Sequence, residues 1–449
     1  MESLTQEQQS LPLWKSFFIL TGIISLIFWN SVLNLTLYFD QNIEAGFFVY
    51  ITFSFCLGNI ISFFLLRVIF TFSTKKQLFL FGCGSCISFS LLAICMELVE
   101  SVLAKKIISI SLIFVNGFMT GCFQGCFSGF SSACGPISIS SMNIGTGCAG
   151  FGSNIISIIF VYVFPTDLDP KGSMKKQLWS YVAFLNILFL LYLIIFYTYN
   201  KKHGHFFDDF DIPDDVRQDM ISGGEILDED SDEEDLPTDD VTTPKTRTLK
   251  SKRLSSKISG KYSRATSKKS YTTWKTLNSE PSYPALSTLK RIIDLWVGIT
   301  FTYYFTLEVV CFFAADLTKK YDENKNGYLL FYFFSYNLGD TLGKLTPNRF
   351  NVKNSFMLHA TTLFRVLLQF YFIWITFTTP SEIFYHYLLR GLIFFIIGSS
   401  NGYLTNVYFC HGAERFRNPK NKDNAGFFII FGLVLGVSLG SFSGVLWSI

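Results

Sequence analysis

The chain is 449 residues long, 49% hydrophobic, 18% aromatic and only 16% charged, with a formal net charge of +3 at pH 7. No phosphate-cradling glycine loop, His pair at metal spacing or cluster of reactive groups points to a soluble enzyme, a cofactor or a metal, and no nucleic acid polymer is expected as a partner. Length and composition leave a soluble protein of two or three domains or one polytopic membrane domain, and the distribution of the charges decides.

Apolar runs of about 20 residues, enough to cross a hydrocarbon core of roughly 30 Å, recur at 16–39, 46–70, 78–98, 108–134, 143–164, 178–199, 292–315, 328–347, 355–377, 388–410 and 425–448. They predict an all-α polytopic membrane protein of eleven transmembrane helices. A six-helix bundle over 1–199 precedes a polar stretch at 200–290, and a five-helix bundle over 291–449 follows it. The first ten residues are polar and carry no cleavable signal, so the first span is expected to anchor as well as target.

In the first span Trp29 and Asn30 sit mid-run, where they offer a stacking wall with a polar handle or simple core packing. Asn34-Leu35-Thr36 has the form of a glycosylation acceptor but lies within the span and is set aside. Arg67, near the end of the second span, is expected to snorkel to the interface. Cys83-Gly84-Ser85-Cys86 has redox or zinc-like spacing without a His or second pair nearby. All ten cysteines fall inside apolar runs, which argues against a disulfide framework and reads them as small packing residues.

The fourth span carries a ladder, Gly117, Gly121, Gly125 and Gly129, repeated in the eleventh as Gly432, Gly436, Gly440 and Gly444. Four steps of about 100° drift only about 40°, so each ladder keeps one smooth face that lets helices approach closely and could support rocking or sliding. Gln124 beside the first ladder presents an amide suited to a heterocyclic base edge, a sugar hydroxyl or an interhelical hydrogen bond.

The stretch 200–290 is expected to be disordered and cytosolic. Residues 208–240 hold sixteen Asp or Glu against one Arg, and 245–275 hold eleven Lys or Arg with no acid. Ser251, Ser255, Ser256, Ser259 and Ser267 among the lysines could take phosphate, so a kinase or regulatory partner fits there. His203 and His205 at its start read as solvated.

In the second half Glu308 lies in the seventh span and Arg365 midway through the ninth, where it needs a partner, with Asp340 or Glu308 the natural candidates. Glu308 could instead carry a proton. Arg390, close to a span end, is expected to snorkel. Asp340 and Lys344 in the eighth span lie one helical turn apart, with Asn337 a turn before the acid. Each charge costs roughly 2.5–3.5 kcal/mol to insert in hydrocarbon, so the two should pair and face the bundle interior, although Lys344 is also near enough to a turn to snorkel. Lys and Arg in the short loops favour an amino terminus and large loop in the cytosol, with the carboxyl terminus outside.

Together these pieces resemble the equilibrative nucleoside transporter family. The likeness rests on Trp29-Asn30, Gln124-Gly125, the run Asn337-x-x-Asp340-x-x-Gly343-Lys344, Ser400-Asn401-Gly402-Tyr403-Leu404, Gly145 to Gly150, Ala425-Gly426, and the layout of six spans, a long loop and five more. It implies a major-facilitator-like 6+5 fold. It also implies facilitated diffusion of nucleosides, with nucleobases conceivable, by alternating access in a membrane for which the cell surface is the default. Trp29, Gln124, Asp340 and Lys344 would then line the central cavity, with Asn30, Leu33 and Asn337 in the candidate binding set. The family usually has Arg where this chain has Lys344, which exchanges a planar fork for a point charge. The alternatives are a proton-coupled carrier of nucleosides or another small metabolite, and a membrane-anchored sensor working through 200–290.

Overall fold

In hydrocarbon every backbone N–H and C=O must be satisfied within the chain, and a helix achieves this inside one segment. Each apolar run falls on a helix of 21 residues or more, which spans about 30 Å at ~1.5 Å per residue. The computed structural model describes residues 12–44, 47–69, 73–165, 170–211, 280–320, 325–346, 354–378 and 386–446. Among the described residues there is no strand. In chain order the helices are α1 (Pro12–Asn34), α2 (Thr36–Asn42), α3 (Phe48–Ile69), α4 (Thr74–Leu98), α5 (Val102–Cys134), α6 (Pro136–Val163), α7 (Pro170–His203), α8 (His205–Phe210), α9 (Ala285–Arg291), α10 (Ile293–Lys320), α11 (Lys325–Leu345), α12 (Ser355–Thr378), α13 (Tyr387–Glu414) and α14 (Pro419–Leu446). By length and composition α1, α3, α4, α5, α6, α7 and α14 are each able to cross a membrane.

Several helices outrun the expected spans. Hydropathy marks the hydrocarbon crossing, but local hydrogen bonding carries a helix on through the interface. Thus α6 begins at Pro136 rather than 143, and only Gly135 separates it from α5. That turn needs φ 107° and ψ −179°, a region open almost only to glycine. None of the nine described cysteines is in a disulfide.

The edges of the polar stretch are also ordered, contrary to the expectation of disorder from 200 to 290. Phe206 and Phe207 are buried. Phe206 meets the Trp14 ring edge-on at 5.2 Å and Phe207 stacks on Phe130 at 4.7 Å. His203 is no solvated accident, since its ring lies 5.8 Å from Trp14 and 5.4 Å from Tyr199. The two buried phenylalanines hold this edge down even though acids follow them in the sequence. Asp211 accepts from the Thr74 backbone N–H and hydroxyl at the start of α4. On the far side, Glu280 accepts from the N–H groups of Arg417 and Asn418 just ahead of α14. Asn421 meanwhile bonds both Tyr283 N and Pro281 O. Residues 212–279, with the serines expected to take phosphate, lie outside the described residues.

Packing runs both within and between the two halves of the chain. In the first half α6 packs on α1, and α5 on both α3 and α4; in the second, α10 packs on α14 and α11 on α13. The halves meet through α5 on α14, α6 on α11 and α3 on α14. The glycine ladders serve packing mostly within each half. A Cβ on Gly117 would lie 2.2 Å from Phe55 O, and one on Gly121 2.0 Å from Ser62 Oγ, both on α3. Gly436 and Gly440 oppose Thr300 O and Tyr304 O of α10 in the same way, and Gly432 faces Trp296. Gly125 meets Leu66 and Phe63 of α3 with Phe427 of α14 beyond them, while Gly129 faces Asp423 of α14 across the halves. Gly444 lies in α14 with surroundings outside the described residues.

Candidate functional site

The i,i+4 spacing on α11 puts Asp340 and Lys344 on one face, and the structure pairs them, with Lys344 Nζ 2.6 Å from Asp340 Oδ2. Both are buried, at 6% and 4% exposure, so Lys344 does not snorkel. A buried pair of this kind gains little net stability over an apolar one, but removing a single partner strands a charge at a cost of about 3–5 kcal/mol.

What positions the carboxylate is the approach of α13. A Cβ on Gly402 would fall 2.0 Å from Asp340 O, and one on Gly343 2.1 Å from Ser399 O. Gly339 and Gly398 oppose Phe395 O and Tyr336 O equally closely. Four glycines therefore bring the two backbones together, and Asn401 beside Gly402 donates to Asp340 Oδ1 at 3.0 Å. On the opposite side Lys344 Nζ donates to Thr146 Oγ1 of α6 at 3.1 Å. A Cβ on Gly147 would lie 3.0 Å from Thr341 Cα and 3.2 Å from Lys344 Cδ, and one on Gly150 2.5 Å from Asn337 Oδ1. The small residues of α6 thus seat Asn337 and Lys344 at the junction of the two halves.

Arg365 is buried at 5% exposure, and its guanidinium ties three helices. It donates to Ser400 Oγ at 2.6 Å, Thr306 Oγ1 at 2.7 Å, and the carbonyls of Thr302 and Ile397 at 3.2 Å each. The Asp340 carboxylate is instead reached through two intermediate residues. Thr306 Oγ1 lies 3.3 Å from Asn401 Oδ1, and Asn401 holds Asp340. Neutral hydroxyls and helix carbonyls can satisfy a guanidinium whose five donors fan out in one plane. Glu308 is buried on the same helix as Thr306. Arg390 does not snorkel; it is 2% exposed, next to Gly391, against which the Phe331 ring of α11 closes. The Arg67 side chain lies outside the described residues.

The first-half candidates gather around α1. Gln124 donates to Ser25 O at 3.2 Å and is buried. Trp29, half-buried, stacks on Phe55 of α3 with ring centroids 3.9 Å apart and planes 12° apart. Asn30 bonds back to Leu26 O within its own helix, and Leu33 is half-buried on the same helix. The two groups of candidates are joined where α1 crosses α6. A Cβ on Gly22, one turn from Ser25, would lie 3.1 Å from Thr146 N, the residue that holds Lys344.

Several contributors escaped the sequence reading. Thr146 and Asn401 belong to the motifs that carry the family likeness, but only the fold shows that they hold the charge pair. Asn406 of α13 donates to Lys344 O and Ser140 Oγ and accepts from Asn143, closing α13 onto α6. Ser128 Oγ donates to Gly426 O, closing α5 onto α14. Both closures lie toward the end of the bundle where Asp211 and Glu280 are tied, while Phe53 against Phe442 and Phe151 against Phe334 join the halves nearer the other end. Arg415 grips Asp294 through both carboxylate oxygens at 2.5 Å, with His359 3.4 Å from the same carboxylate. No sequence spacing links α10, α12 and α13 in that way.

The sequence signature of a family described as nucleoside transporter matches residues 109–449. No curated protein matches the chain. Among solved structures it resembles the major facilitator proton:xylose symporter XylE, with TM-score 0.59 and 13% identity over 96% of this chain and 86% of that one. It also resembles the major facilitator transporter FucP in the outward conformation, with TM-score 0.51 and 13% identity over 96% and 95%. The human organic anion transporter MFSD10 gives 0.52 and 12% over 98% and 95%. Identities this low establish a shared major-facilitator-type fold and nothing about cargo.

Proposed function

Because the chain belongs to the nucleoside transporter family and has the fold of a membrane transporter rather than an enzyme, we propose that it carries nucleosides, and nucleobases with them, down their gradient by alternating access. The observation that carries this reading is the buried Asp340–Lys344 pair, which α13 positions through Asn401 and α6 meets through Thr146. A ribose hydroxyl can donate to Asp340 and accept from Lys344, replacing Thr146 as the partner of the ammonium, while Asn337 and Gln124 supply amide groups for a base edge. Trp29, already stacked on Phe55, offers a flat apolar edge to the base. The ammonium is a compact donor without the fixed fork of Arg, which favours a broad range of sugar and base geometries.

Substrate bound between the halves would join them in place of the Thr146 contact, and rocking of one half against the other would expose it to each side in turn. No bond is made or broken, and the gradient sets direction. The loop charges support an amino terminus and large loop in the cytosol and a carboxyl terminus outside, and the plasma membrane is the default residence. Glu308, buried on α10 two residues from Asn401's neighbour Thr306, supports a second reading in which a proton moves with the solute.

Uptake of labelled adenosine, uridine and hypoxanthine into vesicles containing the purified protein tests both. The facilitative reading expects saturable uptake of at least one of these that is unchanged by an imposed pH gradient and abolished by Asp340→Ala. Uptake driven uphill by the gradient would favour the coupled reading, and near-normal flux in the Ala variant would refute the site.

A further inference from the structure

Away from the central cluster, a groove of about 590 Å³ opens on the outer surface where the first turns of α4 pass the last turns of α7. Its surface is almost wholly apolar, walled by aromatic and aliphatic side chains of the two helices, with Lys75, Lys76 and Asn200 at one end. The order of residues gives the groove a direction. Lys75 and Lys76 lie in the first turn of α4, with Phe79 and Leu80 a turn deeper, while α7 runs antiparallel from Leu193 in the depth to Asn200 at the mouth. Both helices are apolar enough to cross a membrane, so the lysines sit at headgroup level and the apolar wall faces the acyl chains.

The surface is open rather than filled by a neighbouring helix. Phe79 and Leu80 are 49% and 48% exposed and Tyr197 is 67% exposed. Among the described residues neither Lys75 nor Lys76 forms an ion pair, and the exposed Lys201 and Lys202 extend the positive rim along α7. Asp211, which lies beside the start of α4, is already engaged with Thr74. The chemistry calls for a molecule with an anionic head and an apolar tail of at least two helical turns. A soluble anion would leave the wall uncovered, and a neutral lipid would leave the lysines uncompensated. Basic pockets between membrane helices suit acidic lipid headgroups on these grounds.

We propose that this groove is a binding site for an acidic phospholipid of the surrounding bilayer, with its phosphate at Lys75 and Lys76 and an acyl chain along Phe79, Leu80 and Tyr197. The test uses the full-length protein, extracted from vesicles of phosphatidylcholine and phosphatidylglycerol in equal parts, with retained lipid counted by native mass spectrometry. Wild type should retain phosphatidylglycerol in preference, and K75Q/K76Q should bind it roughly thirtyfold more weakly, taking about fivefold for each lysine near the surface. L80W, which fills the apolar end, should lower retention of both lipids. K290Q, a charge change on the exposed side of α9, should leave retention at the wild-type level. Wild-type thermal midpoints in all variants establish that the fold is kept. Equal retention by wild type and K75Q/K76Q would assign the lysines to water or to the chain's own acidic stretch at 228–240 and overturn the site. A loss in K290Q as large as in K75Q/K76Q would reduce the effect to general surface charge and overturn it as well.

Discussion

Gly402→Ala tests whether the approach of α13 to α11 is what holds Asp340 in place. The added Cβ would lie 2.0 Å from Asp340 O, 2.8 Å from its carbonyl carbon and 3.0 Å from Lys344 N, all backbone atoms that cannot swing aside. Ordinary contact begins at 3.4 Å, so the helices must part by about 1.4 Å. Parting them stretches the 3.0 Å bond from Asn401 to Asp340 beyond hydrogen-bonding range. Losing a hydrogen bond to a charged acceptor costs about 1.5–3 kcal/mol and overpacking about 1–3 kcal/mol. A combined cost of roughly 3–5 kcal/mol would lower the thermal midpoint of the detergent-purified protein by roughly 3–5 °C, and flux in vesicles should fall with it. Gly152→Ala is the control, since a Cβ there meets nothing within 4 Å, and alanine is the better helix former. If Gly402→Ala keeps a midpoint and flux indistinguishable from those of Gly152→Ala, the close approach does not hold the carboxylate and the reasoning fails.

Lys344→Met should destabilise the protein by about 3–5 kcal/mol by stranding Asp340, whereas Asp340→Leu with Lys344→Met should recover most of the thermal midpoint while flux stays abolished. A double variant no more stable than the single would show that the two charges are not coupled. Asn406→Leu removes the donors to Ser140 and Lys344 O, at about 1–3 kcal/mol; the halves should part more readily, read as faster thiol labelling of the half-buried Cys148. Unchanged labelling would mean that Asn406 does not latch α13 to α6. Burial holds the Asp211 carboxyl above its ordinary range, opposed by the Thr74 hydrogen bonds. Between that range and its raised value the folded chain keeps a proton that the unfolded chain has lost, so its contribution is full below the ordinary value and fades as pH rises. Asp211→Asn should therefore flatten the fall in thermal midpoint with rising pH across the acidic range, and parallel curves would refute this.

How far the sequence could be read depends on the range of each interaction. Asp340 and Lys344 were legible as a pair because a four-residue spacing is local and the surrounding run is apolar. Asn401 and Thr146, which fix that pair, are 61 and 198 residues from the groups they bond, and no periodicity connects them. The glycine ladders were visible as periodic faces, but which helix each would meet depends on topology, and most of their contacts fall within one half rather than between halves. Arg365 was expected to need a carboxylate because insertion scales treat a charge by itself. In the fold two neighbouring helices, α10 and α13, offer it hydroxyls and carbonyls. Phe206 and Phe207 were lost in acidic surroundings, since two aromatic residues are too few to raise a window average yet enough to close over Trp14 and Phe130.

The four glycines that bring α11 and α13 together also limit how those helices can move. With carbonyl oxygens seated in the gaps where side chains are missing, neither helix can slide along the other without driving backbone against backbone. The pair must travel as a single beam, carrying Asp340 and Asn401 at fixed separation through every stage of the cycle. Any parting of this beam from α6 must separate the Thr146 hydroxyl from the Lys344 ammonium and Asn406 from Ser140 and Asn143.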